Sequence, residues 1–366
     1  MRFSLQREVL LKPLAQVVNV VERRHTLPIL SNLLVRVQGG QLELTGTDVE
    51  VEMVSRVTAE ETESGETTVP ARKLFEIVRA LPDGSRVTVS QREDKVTVQA
   101  GRSRFTLTSL PANDFPSLDE VEATDRVQVP ETGLRELLER TAFAMAQQDV
   151  RFYLNGLLFD LRSDALRCVA TDGHRMALCE IPLEEGHPGK RQIIVPRKGV
   201  QELQRLLEGS DRLLELELGR NHIRVKRDDV TFTCKLIEGK FPDYEAVIPI
   251  GADREVKVDR EALRSSLQRA SILSNEKYRG IRIEVARDLL RISAHNPEQE
   301  EAQEELEAQT SVDGLAIGFN VTYLLEALSA LRDEFVVLQL RDGTSSALVR
   351  GADHQRVRHV VMPLRL

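Results

Sequence analysis

His174 lies in the run Thr171-Asp172-Gly173-His174-Arg175. An imidazole two residues from a carboxylate could pass a proton, and that pair defines the enzyme reading of this chain. The reading needs partners that the sequence does not supply. There is no nucleophile elbow, no glycine loop to cradle phosphate and no His-Glu-x-x-His pair to hold a metal. His174 is therefore expected to line a pocket or to serve structure, with no catalytic residue, cofactor or metal. Cys168, Cys179 and Cys234 are odd in number and lack ligand spacing, so they read as reduced core thiols.

The elements that would position such a pocket are repeated. FSLQREVLLKPLAQVV, VQVPETGLRELLERTAF and VKVDREALRSSLQRASIL align on Leu5, Val129 and Val258, and Leu10, Leu134 and Leu263 share one offset. Between them lie TVPARKLFEIVRAL, IVPRKGVQELQRLL and GFNVTYLLEALSAL, aligned on Val69, Val195 and Phe319. Recurrence at such a period outranks any single motif. Each run couples a short strand to a helix with one apolar stripe, as in Leu134, Leu137, Leu138, Thr141 and Ala142. The spacing predicts helices over 6–21, 70–80, 130–146, 196–208, 259–272 and 320–332. Asp259 and Asn320 are expected as N-caps, and Pro70, Pro130 and Pro196 as helix starts.

Runs that alternate apolar and polar residues follow each helix, as in SRVTVSQREDKVTVQAGRSRFTLTSL and LLELELGRNHIRVKRDDVTFTCKL. The fold class is α+β: three similar domains, each of two strand–helix–strands repeats with antiparallel sheet. The expected domains are residues 1–124, 125–251 and 252–366, separated by FPSLDEVEATDR (115–126) and FPDYEAVIPIGADR (241–254).

The formal net charge of −8 speaks against nucleic acid until it is divided. The six predicted helices hold 14 Lys and Arg against 10 Asp and Glu, which leaves the rest of the chain strongly acidic. A mildly basic helical layer suits a protein that surrounds DNA without gripping it, since strong phosphate pairing would oppose sliding. Only 15 residues are Phe or Tyr and none is Trp, which weighs against base reading by stacked aromatics. The N-terminus reads as neither a signal peptide nor a membrane span, so a cytoplasmic protein without membrane attachment is expected.

Nine runs in order carry a closer resemblance: HTLPILSNLL, LTGTDVEVEM, QDVRFYLNGLLF, VATDGHRMAL, VPRKGVQEL, FPDYEAVIP, ILSNEKYRGIRI, NPEQEEAQE and VVMPLRL. Together they resemble the bacterial DNA sliding clamps, the β subunits of DNA polymerase III holoenzyme, over the whole chain. The resemblance implies a head-to-tail homodimeric ring around duplex DNA, with helices lining the hole and sheets outside. It implies a processivity factor that tethers the polymerase III catalytic subunit, other polymerases and repair proteins through short peptides. A separate clamp loader would open the ring. Geometry agrees: six helices packed at roughly 9–10 Å close a circle only about 18 Å across, whereas twelve leave roughly 25 Å clear for a duplex about 20 Å wide. A scaffold that binds peptides without DNA is the other non-enzyme reading, and it would not need basic helices in six-fold repetition.

Carried over position by position, the resemblance places the peptide site at Arg151, Tyr153, Leu154, Thr171, Gly173, His174, Arg175 and Met176. It continues through Pro242, Val247, Tyr323 and Ser346 to Val360, Met362, Pro363, Leu364 and Arg365. Where members of the family carry a basic residue, this chain has Ala246. The resemblance implies DNA contact by Arg24 and Gln148, with Arg23 and Tyr153 beside them. At the dimer interface it implies Ile272 and Leu273, with Lys73, Arg102 and Arg104 facing Glu298, Glu300, Glu301 and Glu304.

Overall fold

The computed structural model describes residues 1–22, 27–118, 122–184 and 186–365. The six α-helices among them stand where the apolar periodicity places them: α1 (Arg7–Val18), α2 (Ala71–Ala80), α3 (Glu131–Thr141), α4 (Arg197–Leu206), α5 (Arg260–Ser271) and α6 (Val321–Ala330). Two N-caps are as expected. Asp259 accepts the Ala262 N–H at 2.7 Å and Asn320 accepts the Thr322 N–H at 2.9 Å. Three details differ. Pro70, Pro130 and Pro196 end the preceding strands and do not begin helices, because a fixed φ and a missing N–H also suit the last residue of a strand. The helix expected over 130–146 stops at Thr141 and tightens into a 3₁₀ turn over Ala142–Ala144. The linker expected over 115–126 is already strand from Ala123.

The chain forms two compact units, residues 1–132 with 201–236 and residues 133–200 with 237–366. Each is built on an eight-stranded antiparallel sheet that draws strands from two neighbouring repeats. In the first unit the order is Ala123–Pro130, Leu213–Gly219, His222–Arg227, Val230–Lys235, Val51–Thr58, Gln41–Thr47, Asn32–Gln38 and Gly65–Pro70. In the second it is Arg254–Asp259, Phe335–Leu340, Ala347–Gly351, Val357–Val361, Arg175–Pro182, Ala165–Thr171, Gly156–Leu161 and Arg191–Pro196. At the central seam, Val51 pairs with Cys234 and Glu52 with Thr233 in one unit, while Arg175 pairs with Val361 and Met176 with Val360 in the other. The two seams thus correspond residue by residue.

The first unit also holds a five-stranded sheet ending at Ser103–Thr108, and the second a four-stranded sheet ending at Glu301–Glu307. Each helix buries its apolar stripe: α1 through Leu10, Leu14, Val17 and Val18, and α6 through Leu324, Ala327 and Leu328. The first packing is close. A methyl added at Gly46 would stand 2.6 Å from the Val17 carbonyl oxygen, a backbone atom that cannot swing aside. Gly46→Ala is expected to cost about 1–3 kcal/mol of the first unit's stability by overpacking. Chemical denaturation read by circular dichroism checks this, and an unchanged midpoint would count against the packing described.

Candidate functional site

The turn that carries His174 is set by Asp172. Its Oδ1 accepts the N–H groups of His174 (2.9 Å) and Arg175 (3.1 Å), and its Oδ2 accepts Arg175 Nε (3.2 Å). Gly173, at φ +87°, takes the left-handed position that such a turn demands. Arg175 is then fixed from several sides. It pairs with Glu326 of α6, donates Nη2 to the Phe143 carbonyl at 3.1 Å and lies over the Tyr323 ring at 4.6 Å. The His174 ring stacks on Tyr323, with centroids 6.5 Å apart and planes at 16°. The carboxylate is thus engaged by backbone and guanidinium, and the imidazole by a ring face. This arrangement fixes the imidazole and the guanidinium at the surface.

Below the turn is an apolar floor. Leu154, Met176, Val360, Phe241 and Tyr244 are buried in one cluster, and Tyr153 packs against it half-buried. Met362, 46% exposed, forms the lip, and its N–H donates to the His174 carbonyl at 3.0 Å. Val247 and Pro242 are exposed on a segment anchored by Tyr244, whose hydroxyl donates to Asp160 at 2.6 Å. Arg151 is locked onto Asp149 at 2.8 and 3.0 Å, and its hydrogen bonds hold that carboxyl down to about 2. Thr171 Oγ1 donates to the Arg175 carbonyl, and Ser346 and Pro363 are half-buried. Leu364 and Arg365 turn into a separate cavity of about 520 Å³ with Asn275, Tyr278, His295 and Asn296, residues that the motif reading missed. None of the expected site residues lines a second, polar cleft of about 440 Å³ among Glu136, Arg140, Cys179 and Arg332. Among the described residues no cluster of His, Cys, Asp or Glu is placed to hold a metal. The three cysteines are buried and form no disulfide, and burial pushes the Cys179 thiol up to about 12.

Arg23 and Arg24 lie outside the described residues. Gln148 is exposed at φ +55°, in a loop tied by reciprocal Asp149–Asn155 hydrogen bonds of 2.9 Å. Tyr153 turns to the apolar floor, and its neighbour Phe152, 57% exposed, is the ring left in solvent with Val150. The run QDVRFYLNGLLF did not tell which of its adjacent aromatics would face outward. At the other expected contact, Ile272 is 76% exposed at the end of α5 and Leu273 is half-buried. Lys73, Arg102 and Arg104 are exposed, the latter two at the open edge beside Phe105. Glu298 and Glu301 are exposed. Glu300 accepts Asn296 Nδ2 at 2.6 Å, and Glu304 is held by Arg269 of its own chain at 2.9 and 2.5 Å.

Comparison with known proteins agrees with this architecture. The DNA polymerase III beta subunit family matches through its N-terminal domain at residues 1–119, its central domain at 128–243 and its C-terminal domain at 245–365. The chain belongs to this family, the DNA sliding clamps. The beta sliding clamp of Pseudomonas putida is 53% identical and that of Escherichia coli 48%, each over all of both chains. A crystal structure of the Pseudomonas aeruginosa sliding clamp bound to griselimycin superposes with a TM-score of 0.98 at 52% identity, with both chains fully covered. The Caulobacter crescentus beta sliding clamp gives 0.96 at 36%, covering 100% of this chain and 99% of that one. The repeated strand order is thus the clamp architecture.

Proposed function

We infer that two copies of this chain close head to tail into a ring that encircles duplex DNA and tethers polymerases and repair proteins for processive work. The observation that carries this is the pair of eight-stranded sheets with one strand order and one seam register, because a ring needs repeated joints of one geometry. In this reading the chain comprises three clamp domains, 1–124, 125–251 and 252–366, cytoplasmic and not enzymatic. A separate ATP-driven loader opens the ring, since the sequence holds no nucleotide motif. No helix of the described residues is long and apolar enough to cross a membrane.

The groove between the His174 turn and Met362 takes the partners' peptides. Leu154, Met176, Val247, Val360 and Met362 receive aliphatic or aromatic anchors, while Arg151, His174, Arg175 and Tyr323 form the polar rim. Ala246 leaves one side of that rim uncharged. Met362→Lys is expected to weaken a labelled partner peptide at least tenfold by placing a hydrated charge at the lip. Fluorescence anisotropy reads this, and unchanged affinity would move the site elsewhere.

Arg24 and Gln148, with Arg23 and the exposed Phe152, touch DNA without reading its sequence. After loading by a matched loader, complexes on closed circular DNA are expected to survive a sizing column at moderate salt and to be lost once the circle is cut. Equal retention on linear DNA would replace encirclement with surface binding.

A further inference from the structure

The turn at the groove's rim occurs twice. In the second unit, Thr171 Oγ1 accepts the Gly173 N–H at 3.1 Å and donates to the Arg175 carbonyl at 2.6 Å, while Asp172 accepts two N–H groups. In the first unit, Thr47 Oγ1 accepts the Val49 N–H at 3.1 Å and donates to the Val51 carbonyl at 2.9 Å. Asp48 Oδ1 there accepts the N–H groups of Glu50 (3.0 Å) and Val51 (2.7 Å). Val49 is held at φ +71°, where Gly173 has +87°. A β-branched residue adopts that conformation only when its surroundings impose it. The exit from the neighbouring strand matches too: Lys235 N–H donates to the Glu50 carbonyl at 2.8 Å, as Met362 N–H does to His174.

The backbone is shared and the side chains are not. By ladder register, Glu52 and Thr233 stand where the second unit has Met176 and Val360, and Lys235 stands where it has Met362. Glu52 is half-buried and accepts the Leu118 N–H at 3.2 Å, and burial raises its carboxyl above the ordinary value. Lys235 is exposed at the position of the lip.

We propose that the first unit carries a latent copy of the peptide groove, and that Glu52, Thr233 and Lys235 close it to apolar anchors and so set the chain's valence at one peptide. An aliphatic or aromatic side chain laid on this floor would strip water from the half-buried Glu52 carboxylate and return no hydrogen bond, while the buried Thr233 hydroxyl, which accepts from Arg224 Nε at 3.4 Å, replaces an apolar surface with a polar one. It would also lose the apolar lip that Met362 supplies in the other unit. The proposal rests on the reading that the second unit's groove binds peptide, and its test separates the two.

A short fluorescein-labelled peptide ending in Leu-Phe is titrated calorimetrically into the full chain. The wild type is expected to bind one peptide per chain. The swap Glu52→Met, Thr233→Val and Lys235→Met is expected to bind two. The reciprocal swap Met176→Glu, Val360→Thr and Met362→Lys is expected to bind none, and the six-fold swap one. No binding to the wild type would sink the groove reading and this proposal with it. One peptide for both the wild type and a folded triple variant would sink the proposal alone, as would two for the wild type. If the triple variant does not fold, Glu52→Gln with Lys235→Met keeps an acceptor for Leu118. It is expected to show a second site at least tenfold weaker than the first, and a single site there would overturn the proposal.

Discussion

His359→Phe is expected to abolish most of the loss of stability that the wild type suffers between pH 6.5 and 4. His359 lies in the Val357–Val361 strand opposite Ala177, 1% exposed, with neither ring nitrogen hydrogen-bonded. It sits against Phe143, with ring centroids 5.6 Å apart, and burial holds it down to about 3, helped by the positive charges of Arg140 and Arg175. The folded chain keeps the imidazole neutral while the unfolded chain titrates near 6.5. Between those values the unfolded state binds more protons, so stability is full above pH 6.5 and falls as the pH drops. The slope approaches about 1.4 kcal/mol per pH unit, so several kcal/mol are at stake across the window. The corresponding residue at the other seam is Phe232, fully buried opposite Met53. The site shape therefore accepts phenyl, and stability at neutral pH should hold or rise, because a polar ring without partners is removed. Urea midpoints for the second unit at several pH values decide the matter. Parallel pH profiles for wild type and variant would show that another group governs acid unfolding.

The α5 and α6 starts were legible because Asp259 and Asn320 act within three residues of themselves. The repetition was legible because equivalent leucines recur at one offset. The seam was not: Val230 pairs with Ser55, and nothing local in either strand announces a partner so distant in the chain. His359 was also invisible, since Val-Arg-His-Val-Val gives no sign that its histidine is buried while Arg358 is only partly so. Glu298, Glu300, Glu301 and Glu304 stood out through the resemblance, but Glu304 answers to Arg269 on a neighbouring helix, which no local pattern reveals. The proposed groove rests on the family resemblance, whereas the apolar cluster beneath it depends on Phe241 and Tyr244 packing with Met176 and Val360, a tertiary fact.

If two copies close into the proposed ring, Ile272→Ala with Leu273→Ala is expected to leave the chain monomeric. α5 buries Leu263, Ser266, Leu267 and Ala270, and leaves Ile272 76% exposed just beyond its last turn. An isoleucine so placed adds little to the chain's own core, so its truncation should spare the fold. In a head-to-tail ring each of two seams would bury the pair against the partner, with Phe105 at the Ser103–Thr108 edge among the residues it could meet. Burying one such side chain contributes about 2 kcal/mol. Two side chains at two seams give about 8 kcal/mol, or roughly 10⁵–10⁶-fold in the dimer dissociation constant. The charges should matter less. Exposed pairs contribute about 0–1 kcal/mol each, and Glu304 is already neutralised by Arg269 within its own chain. Raising salt should therefore weaken the wild-type dimer far less than the double alanine does. Sedimentation velocity over a range of protein concentrations separates the two effects. A double-alanine variant that stays dimeric while salt dissociates the wild type would assign the seam to Lys73, Arg102 and Arg104 instead of the apolar pair.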